Sequence, residues 1–211
     1  MLRGPGDPTL LLPAEAVLVA RAVPKRVHEF AAGRLCARRA LAELEIDDFP
    51  IAAADDRQPL WPDRIVGSIT HTAGWAAAVV APCSSLAALG LDSEVVGSVN
   101  EEIWQSICGS AEMAWLASLP QSERAAAVTL IFSAKEAFYK CQYPTMREPL
   151  GFHDVTVEVP AWGTSQGEFN IRPTRPIRLA QYVQLPFGGK HLFHEEFVTA
   201  GIAIAAADWA Q

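Results

Sequence analysis

Nine consecutive residues, Phe132-Ser133-Ala134-Lys135-Glu136-Ala137-Phe138-Tyr139-Lys140, place two lysines and a glutamate in an otherwise apolar, helix-like run. Charge in such surroundings must be paired, neutralised or given a ligand. On a helix Glu136 and Lys140 lie one turn apart on one face, with Phe132 a turn earlier. An i,i+4 salt bridge would explain that pair on an exposed helix, where it contributes only a few tenths of a kcal/mol. The aromatic and alanine neighbours leave little polar surface and favour a site instead. Upstream, Leu89-Gly90-Leu91-Asp92-Ser93-Glu94 carries two carboxylates at i and i+2 in a strand-like segment, and a strand points both to one face. Asp-x-Glu is frequent on exposed strands, but Ala87, Ala88, Leu91, Val95 and Val96 around it indicate burial, where carboxylates need a cation. Magnesium prefers a few carboxylates completed by water and phosphate oxygens. Three carboxylates and two lysines on separate elements are therefore the ingredients for holding a divalent cation and a polyphosphate together.

A second group of candidates is basic. Arg21, Lys25, Arg26, Arg34, Arg38 and Arg39 crowd one segment of an acidic chain of net charge −7. Such a run is either a solvated helix face or the wall of an anion site. Gly67-Ser68-Ile69-Thr70-His71 sets two hydroxyls before an imidazole. A lone histidine is more often a core or surface residue than a ligand, but beside hydroxyls and arginines it can hydrogen-bond a phosphate monoester. Ser68 has no GxSxG elbow around it, and no P-loop lysine motif or GxGxxG follows a strand. The acidic balance argues against a general nucleic-acid binder.

These residues need elements to position them. With 211 residues, half of them apolar, the chain can bury one large core or two small ones. The pattern predicts a helix from Pro24 to about Glu45, then strands over 65–71, 75–81 and 86–95. Helices follow over 100–108, 110–119 and from Ser122, as N-cap, to about Tyr143 before Pro144. Strands are expected over 152–159, 167–172 and 197–207. A faint echo links Thr72-Ala73-Gly74-Trp75 to Thr199-Ala200-Gly201-Ile202. Together with the similar order of elements in both halves, it suggests an α+β protein of two related lobes, 1–96 and 97–211, with the carboxylate strand closing the first. Cys36, Cys83, Cys108 and Cys141 form no CxxC pair and read as reduced thiols. The apolar patch at Leu10-Leu11-Leu12 is too short for a signal peptide, and no apolar run approaches the roughly 20 residues that cross a bilayer. A cytoplasmic protein is expected.

Taken in order, Gly33-Arg34-Leu35-Cys36-Ala37-Arg38, Pro59-Leu60-Trp61-Pro62, Gly67 to His71, Gly90 to Glu94 and Phe132 to Lys140 resemble the signature series of 4′-phosphopantetheinyl transferases. The likeness is to the larger bacterial type associated with enterobactin and other siderophore, peptide or polyketide synthases. It covers roughly residues 24 to 152. The resemblance implies a pseudo-twofold α+β fold with coenzyme A and Mg²⁺, or Mn²⁺ as an alternative ion, bound between the lobes. It implies transfer of the phosphopantetheine arm to a serine of an apo carrier protein, with release of adenosine 3′,5′-bisphosphate. By position, Asp92, Glu94 and Glu136 would be the metal site, Glu136 also the base for the incoming serine. Thr70 and His71 would hold the 3′-phosphate with Arg26 and Arg34. Lys135 and Lys140 would meet the pyrophosphate, Lys140 stabilising the leaving phosphate. The expected partners are coenzyme A and acyl, peptidyl or aryl carrier domains, with no nucleic acid, no membrane insertion and a monomeric enzyme. The loop Ala53-Ala54-Asp55-Asp56-Arg57 departs from the family, which often has basic or glycine residues near the adenine, so Arg57 would supply the charge there. Two other readings use the same residues: a non-catalytic module that binds coenzyme A or a carrier, and a metal-dependent nucleotide pyrophosphatase.

Overall fold

Pro24, a residue tolerated in the first turn, starts the long helix of the N-terminal unit, and the chain around it is a helix laid on a small sheet. In the computed structural model, which describes residues 1–209, this unit is Met1–Leu86 and a second begins at Ala87. The first holds β1 (Leu2–Arg3), α1 (Pro13–Ala16), α2 (Pro24–Ala42), β2 (Ile65–Thr72) and β3 (Trp75–Pro82). Its three strands are antiparallel in the order β1-β3-β2. Ala37 and Leu41 of α2 are fully buried and pack on Ile65, Ile69 and Val80 of the sheet. The helix stops at Ala42, short of the expected Glu45, because Glu45 turns into the left-handed region at φ 61°.

The second unit continues with β4 (Leu86–Val95), α3 (Trp104–Ile107), α4 (Ser110–Ser118), α5 (Gln121–Met146), β5 (Val155–Glu158), β6 (Gln166–Pro173), β7 (Phe187–His194) and β8 (Phe197–Ala205). Its sheet runs β4-β8-β7-β6-β5, antiparallel from β5 to β8. Ala134, Ala137, Phe138 and Cys141 of α5 are buried with Phe169, Ile171, Phe187 and Ile202 of the sheet in one core. Both units thus share the plan of a long helix on a sheet, and the α+β class is as expected. The carboxylate strand, however, is the edge of the second sheet, hydrogen-bonded beside β8, so the change of unit falls between Leu86 and Ala87 rather than near 96.

Other boundaries moved for local reasons. Pro120, not Ser122, caps α5, and the helix runs through Pro144 to Met146 before Arg147 ends it at φ 52°. A proline so near the C-terminus removes only one late helical hydrogen bond. Strand β7 escaped the sequence because Gly188-Gly189-Lys190-His191 lacks the β-branched and aromatic residues that mark strands. The echo of Thr72 and Thr199 is compositional, since Gly74 turns the β2–β3 hairpin at φ 72° while Gly201 lies inside β8. No helix among the described residues is long and apolar enough to cross a membrane.

One glycine decides how the site is assembled. A Cβ on Gly90 would stand 1.9 Å from the Ala137 carbonyl oxygen and 2.7 Å from the Cys141 nitrogen, so strand and helix meet backbone to backbone. Gly90→Ala is expected to destabilise the protein by about 1–3 kcal/mol or more, since a backbone cannot move aside as a flexible side chain can. Chemical denaturation checks it, and an unchanged midpoint would contradict the packing described.

Candidate active site

The close approach at Gly90 brings α5 beside the carboxylate strand. Lys140 Nζ donates to Asp92 Oδ1 at 2.6 Å and to the Leu91 carbonyl at 3.3 Å. Asp92 is 4% exposed while Lys140 is half-buried, so the carboxylate has lost most of its water and depends on this lysine for a partner in charge. Lys140 thus forms its ion pair across elements, from helix to strand. Glu136, one turn earlier, is half-buried, and its carboxyl is held above the ordinary glutamate range, first by burial and then by the Asp92 carboxylate, with Lys140 opposing. Two carboxylates close enough to repel share one lysine. The leftover negative charge, offered by oxygen donors only, fits a hard divalent cation. Glu94 is half-buried two residues along the same strand face as Asp92. Among the described residues no three His, Cys, Asp or Glu side chains come together as a metal cluster, so the structure does not assemble Asp92, Glu94 and Glu136 into a closed cage. Lys140 lies against Asp92 instead, and a cation of this kind takes the rest of its shell from substrate oxygens and water.

Lys135 does not join this group. Its Nζ is buried and donates to the Ile107 carbonyl at 2.8 Å, to Glu112 Oε2 at 2.8 Å and to the Phe152 carbonyl at 2.7 Å. An ammonium has three N–H bonds, so none remains for a pyrophosphate, and that expectation is corrected. Glu112, which the sequence reading passed over, also accepts from Gly109 N at 2.7 Å and Val157 N at 2.8 Å. The pair ties α3, α4, α5, β5 and the turn at Phe152 into one hub. Its signal was present in the spacing Gly109-x-x-Glu112, where an acid at the third helical position reaches back to the cap.

The first unit has its own cluster. Arg26 Nη1 lies 2.8 Å from His71 Nε2. A guanidinium only donates, so that ring nitrogen accepts. Arg34 is buried, donates Nε to the Ile51 carbonyl at 2.9 Å and lies over the Phe30 ring at 4.3 Å. Its pKa is lowered to about 10, by burial first and by the Arg26 cation, with Glu15 opposing, so it stays charged at neutral pH. Two like charges and an imidazole within one another's field suit a dianion. Thr70, adjacent to His71 on β2, is buried on the opposite face of the sheet because strand side chains alternate. The structure therefore does not bring the two side chains to one point. Arg57 is exposed in a turn closed by its N–H on the Ala54 carbonyl at 2.8 Å, with φ 70°. Arg38 belongs to a structural knot: it pairs with Glu15, which is fully buried and also accepts from Ile51 N at 3.1 Å and Leu12 N at 3.0 Å.

A cavity of about 290 Å³ opens beside Glu136, walled by Phe138, Tyr139, Leu150, Gly151 and Phe152. The sequence reading had no counterpart for it. Its wall is mostly apolar, with Glu136 and the stem of the buried Lys135 as its charged members, a lining that suits an uncharged chain.

One unit thus carries an acid–lysine cluster and the other an arginine–histidine cluster, side-chain chemistry of the kind suited to phosphate groups. Comparison with known proteins agrees. Residues 14–81 match the model of the 4′-phosphopantetheinyl transferase N-terminal domain, and residues 88–200 that of the 4′-phosphopantetheinyl transferase superfamily. The chain is 38% identical over 207 residues to 4′-phosphopantetheinyl transferase Svp of Streptomyces mobaraensis, covering 96% of this chain and 82% of that protein. It is 39% identical to 4′-phosphopantetheinyl transferase PptT of Mycobacterium tuberculosis over 72% of this chain and 67% of that one. With enterobactin synthase component D of Salmonella typhi it shares 42% identity over 55% of this chain and 48% of that protein. The chain belongs to the 4′-phosphopantetheinyl transferase superfamily, in its larger bacterial type, and is an enzyme of that class.

Proposed function

We propose that this enzyme moves the 4′-phosphopantetheine arm of coenzyme A onto a serine hydroxyl of an apo acyl, peptidyl or aryl carrier domain, releasing adenosine 3′,5′-bisphosphate. The observation that carries the reading is the meeting of Asp92 of β4 with Glu136 and Lys140 of α5, two acids and a lysine, inside the segment that matches the superfamily model. Asp92, Glu94 and Glu136 would hold Mg²⁺, or Mn²⁺ in its place. When bound, that ion supplies charge neutralisation of the pyrophosphate. Glu136, whose proton affinity is already raised, takes the proton of the incoming serine. Lys140, half-buried beside Asp92, donates to the leaving phosphate. Arg26, His71 and Arg34 hold the 3′-phosphate, and the apolar pocket beside Glu136 takes the pantetheine chain. Transfer of this kind depends on positioning and charge more than on covalent help from the protein.

Incubation of the enzyme with purified apo carriers, coenzyme A and Mg²⁺ tests the whole reading. A gain of one phosphopantetheine by mass is expected; no gain across several carriers would sink it, and phosphate release without any carrier would turn the reading to a pyrophosphatase. Arg26 is exposed, so Arg26→Ala should leave the fold intact. We expect it to raise the KM for coenzyme A by about tenfold or more, the weight of a charge-assisted hydrogen bond, while the KM for dephospho-coenzyme A stays as it was. Equal effects on both substrates would remove Arg26 from the 3′-phosphate site.

A further inference from the structure

Between the two carboxylates of β4 stands Ser93, fully buried in a strand where an apolar residue would be the ordinary occupant. A buried hydroxyl is costly unless it is bonded. Ser93 Oγ lies 2.8 Å from Thr199 Oγ1 on β8, and Thr199 Oγ1 lies 2.8 Å from His194 Nε2 on β7. The three side chains form a hydrogen-bonded line across three neighbouring strands. Alternation along the strand sends Ser93 to the face opposite Asp92 and Glu94, so the line cannot touch a ligand that those acids hold. What it can do is hold their strand. Among the described residues β4 ends its sheet, beside β8, and a slip of one residue would carry both acids to the wrong face.

We infer that Ser93, Thr199 and His194 are positioning residues that lock the register of the carboxylate strand for the divalent cation. The inference rests on the proposed metal role of Asp92 and Glu94. It places outside the site three side chains that set its geometry from behind, through the strand and not through a bond to the acids themselves. Thr199→Val keeps the shape of the side chain and removes the middle hydroxyl; Thr199→Ser keeps the hydroxyl.

The test measures binding of Mn²⁺ to the full chain, with coenzyme A present, from the electron paramagnetic resonance signal of free Mn²⁺. Thr199→Val is expected to bind Mn²⁺ about tenfold more weakly, Thr199→Ser within about twofold of the parent, and both to bind coenzyme A without metal as the parent does. Thr199→Val binding Mn²⁺ like the parent overturns the inference. Where Thr199→Val does not fold, Ser93→Ala takes the same measurement and decides in the same way. Asp92→Ala separates the two levels: if it loses Mn²⁺ while Thr199→Val and Ser93→Ala do not, the register lock alone falls. If Asp92→Ala keeps full Mn²⁺ affinity, the metal reading falls and the lock with it.

Discussion

Glu136→Gln is expected to slow carrier loading by about 10²–10⁴-fold, the usual weight of a positioned base, while the metal-free protein melts no lower than the parent. The two halves of that result have one origin. Burial and the Asp92 carboxylate hold the Glu136 carboxyl above its ordinary range. A carboxyl raised in the fold adds stability that is complete below its unfolded pKa and is lost as pH rises through the folded value. At neutral pH the ionised Glu136 therefore costs the metal-free protein stability, and glutamine, equal in shape and uncharged, relieves it. The gain should shrink as pH falls through the raised folded value and vanish only below 4.5, where the glutamate becomes neutral in the unfolded state as well. Carrier mass gain over time and thermal melts across that pH range check both halves. Near-parent loading by the glutamine variant would remove Glu136 from the chemistry, and a large fall in melting temperature would show that its charge is structural.

One residue earlier the expectation reverses. Lys135→Met should lower stability by about 3–5 kcal/mol, because removing one partner of a buried ion pair strands the other. Glu112 is 2% exposed and would keep two backbone donors, Gly109 N and Val157 N, but no cation. The Ile107 and Phe152 carbonyls would lose their donor as well. Adding Glu112→Gln to Lys135→Met removes the stranded charge, so the double variant should be more stable than the sum of the single losses predicts. Urea denaturation of the four proteins measures this cycle. A loss below about 1 kcal/mol in Lys135→Met would place the lysine outside the hub.

Adjacent lysine and glutamate illustrate how much of the site could be read from the chain. Residue types and spacing were enough to single out Asp92, Glu136 and Lys140, because charge in an apolar helix or strand is improbable without a partner. Spacing also put Lys140, and not Lys135, on the face of Glu136, but it carried no sign that Lys135 would be claimed by Glu112. Lys135 and Lys140 differ by five positions, more than one helical turn, and which of them meets Asp92 depends on where β4 crosses α5. Helix α2 was legible from its proline start and apolar period, whereas β7 was hidden by glycines and polar residues that acquire strand structure only from neighbours on both sides. The assignment of β4 to the second sheet was equally out of reach, since strand pairing between residues over a hundred positions apart leaves no local mark. Thr70 and His71 looked like one phosphate-binding pair in a line of letters, and alternation on the strand sends them apart.

The backbone contact at Gly90 bears on how this site tolerates change over generations. Where side chains separate two elements, each substitution in the core moves the groups those elements carry. Here the separation of Asp92 from α5 is set by main chain against main chain, with no side chain between them at Gly90. The demand therefore falls on one position: a side chain at residue 90 would push β4 off α5 and carry Asp92 away from Lys140.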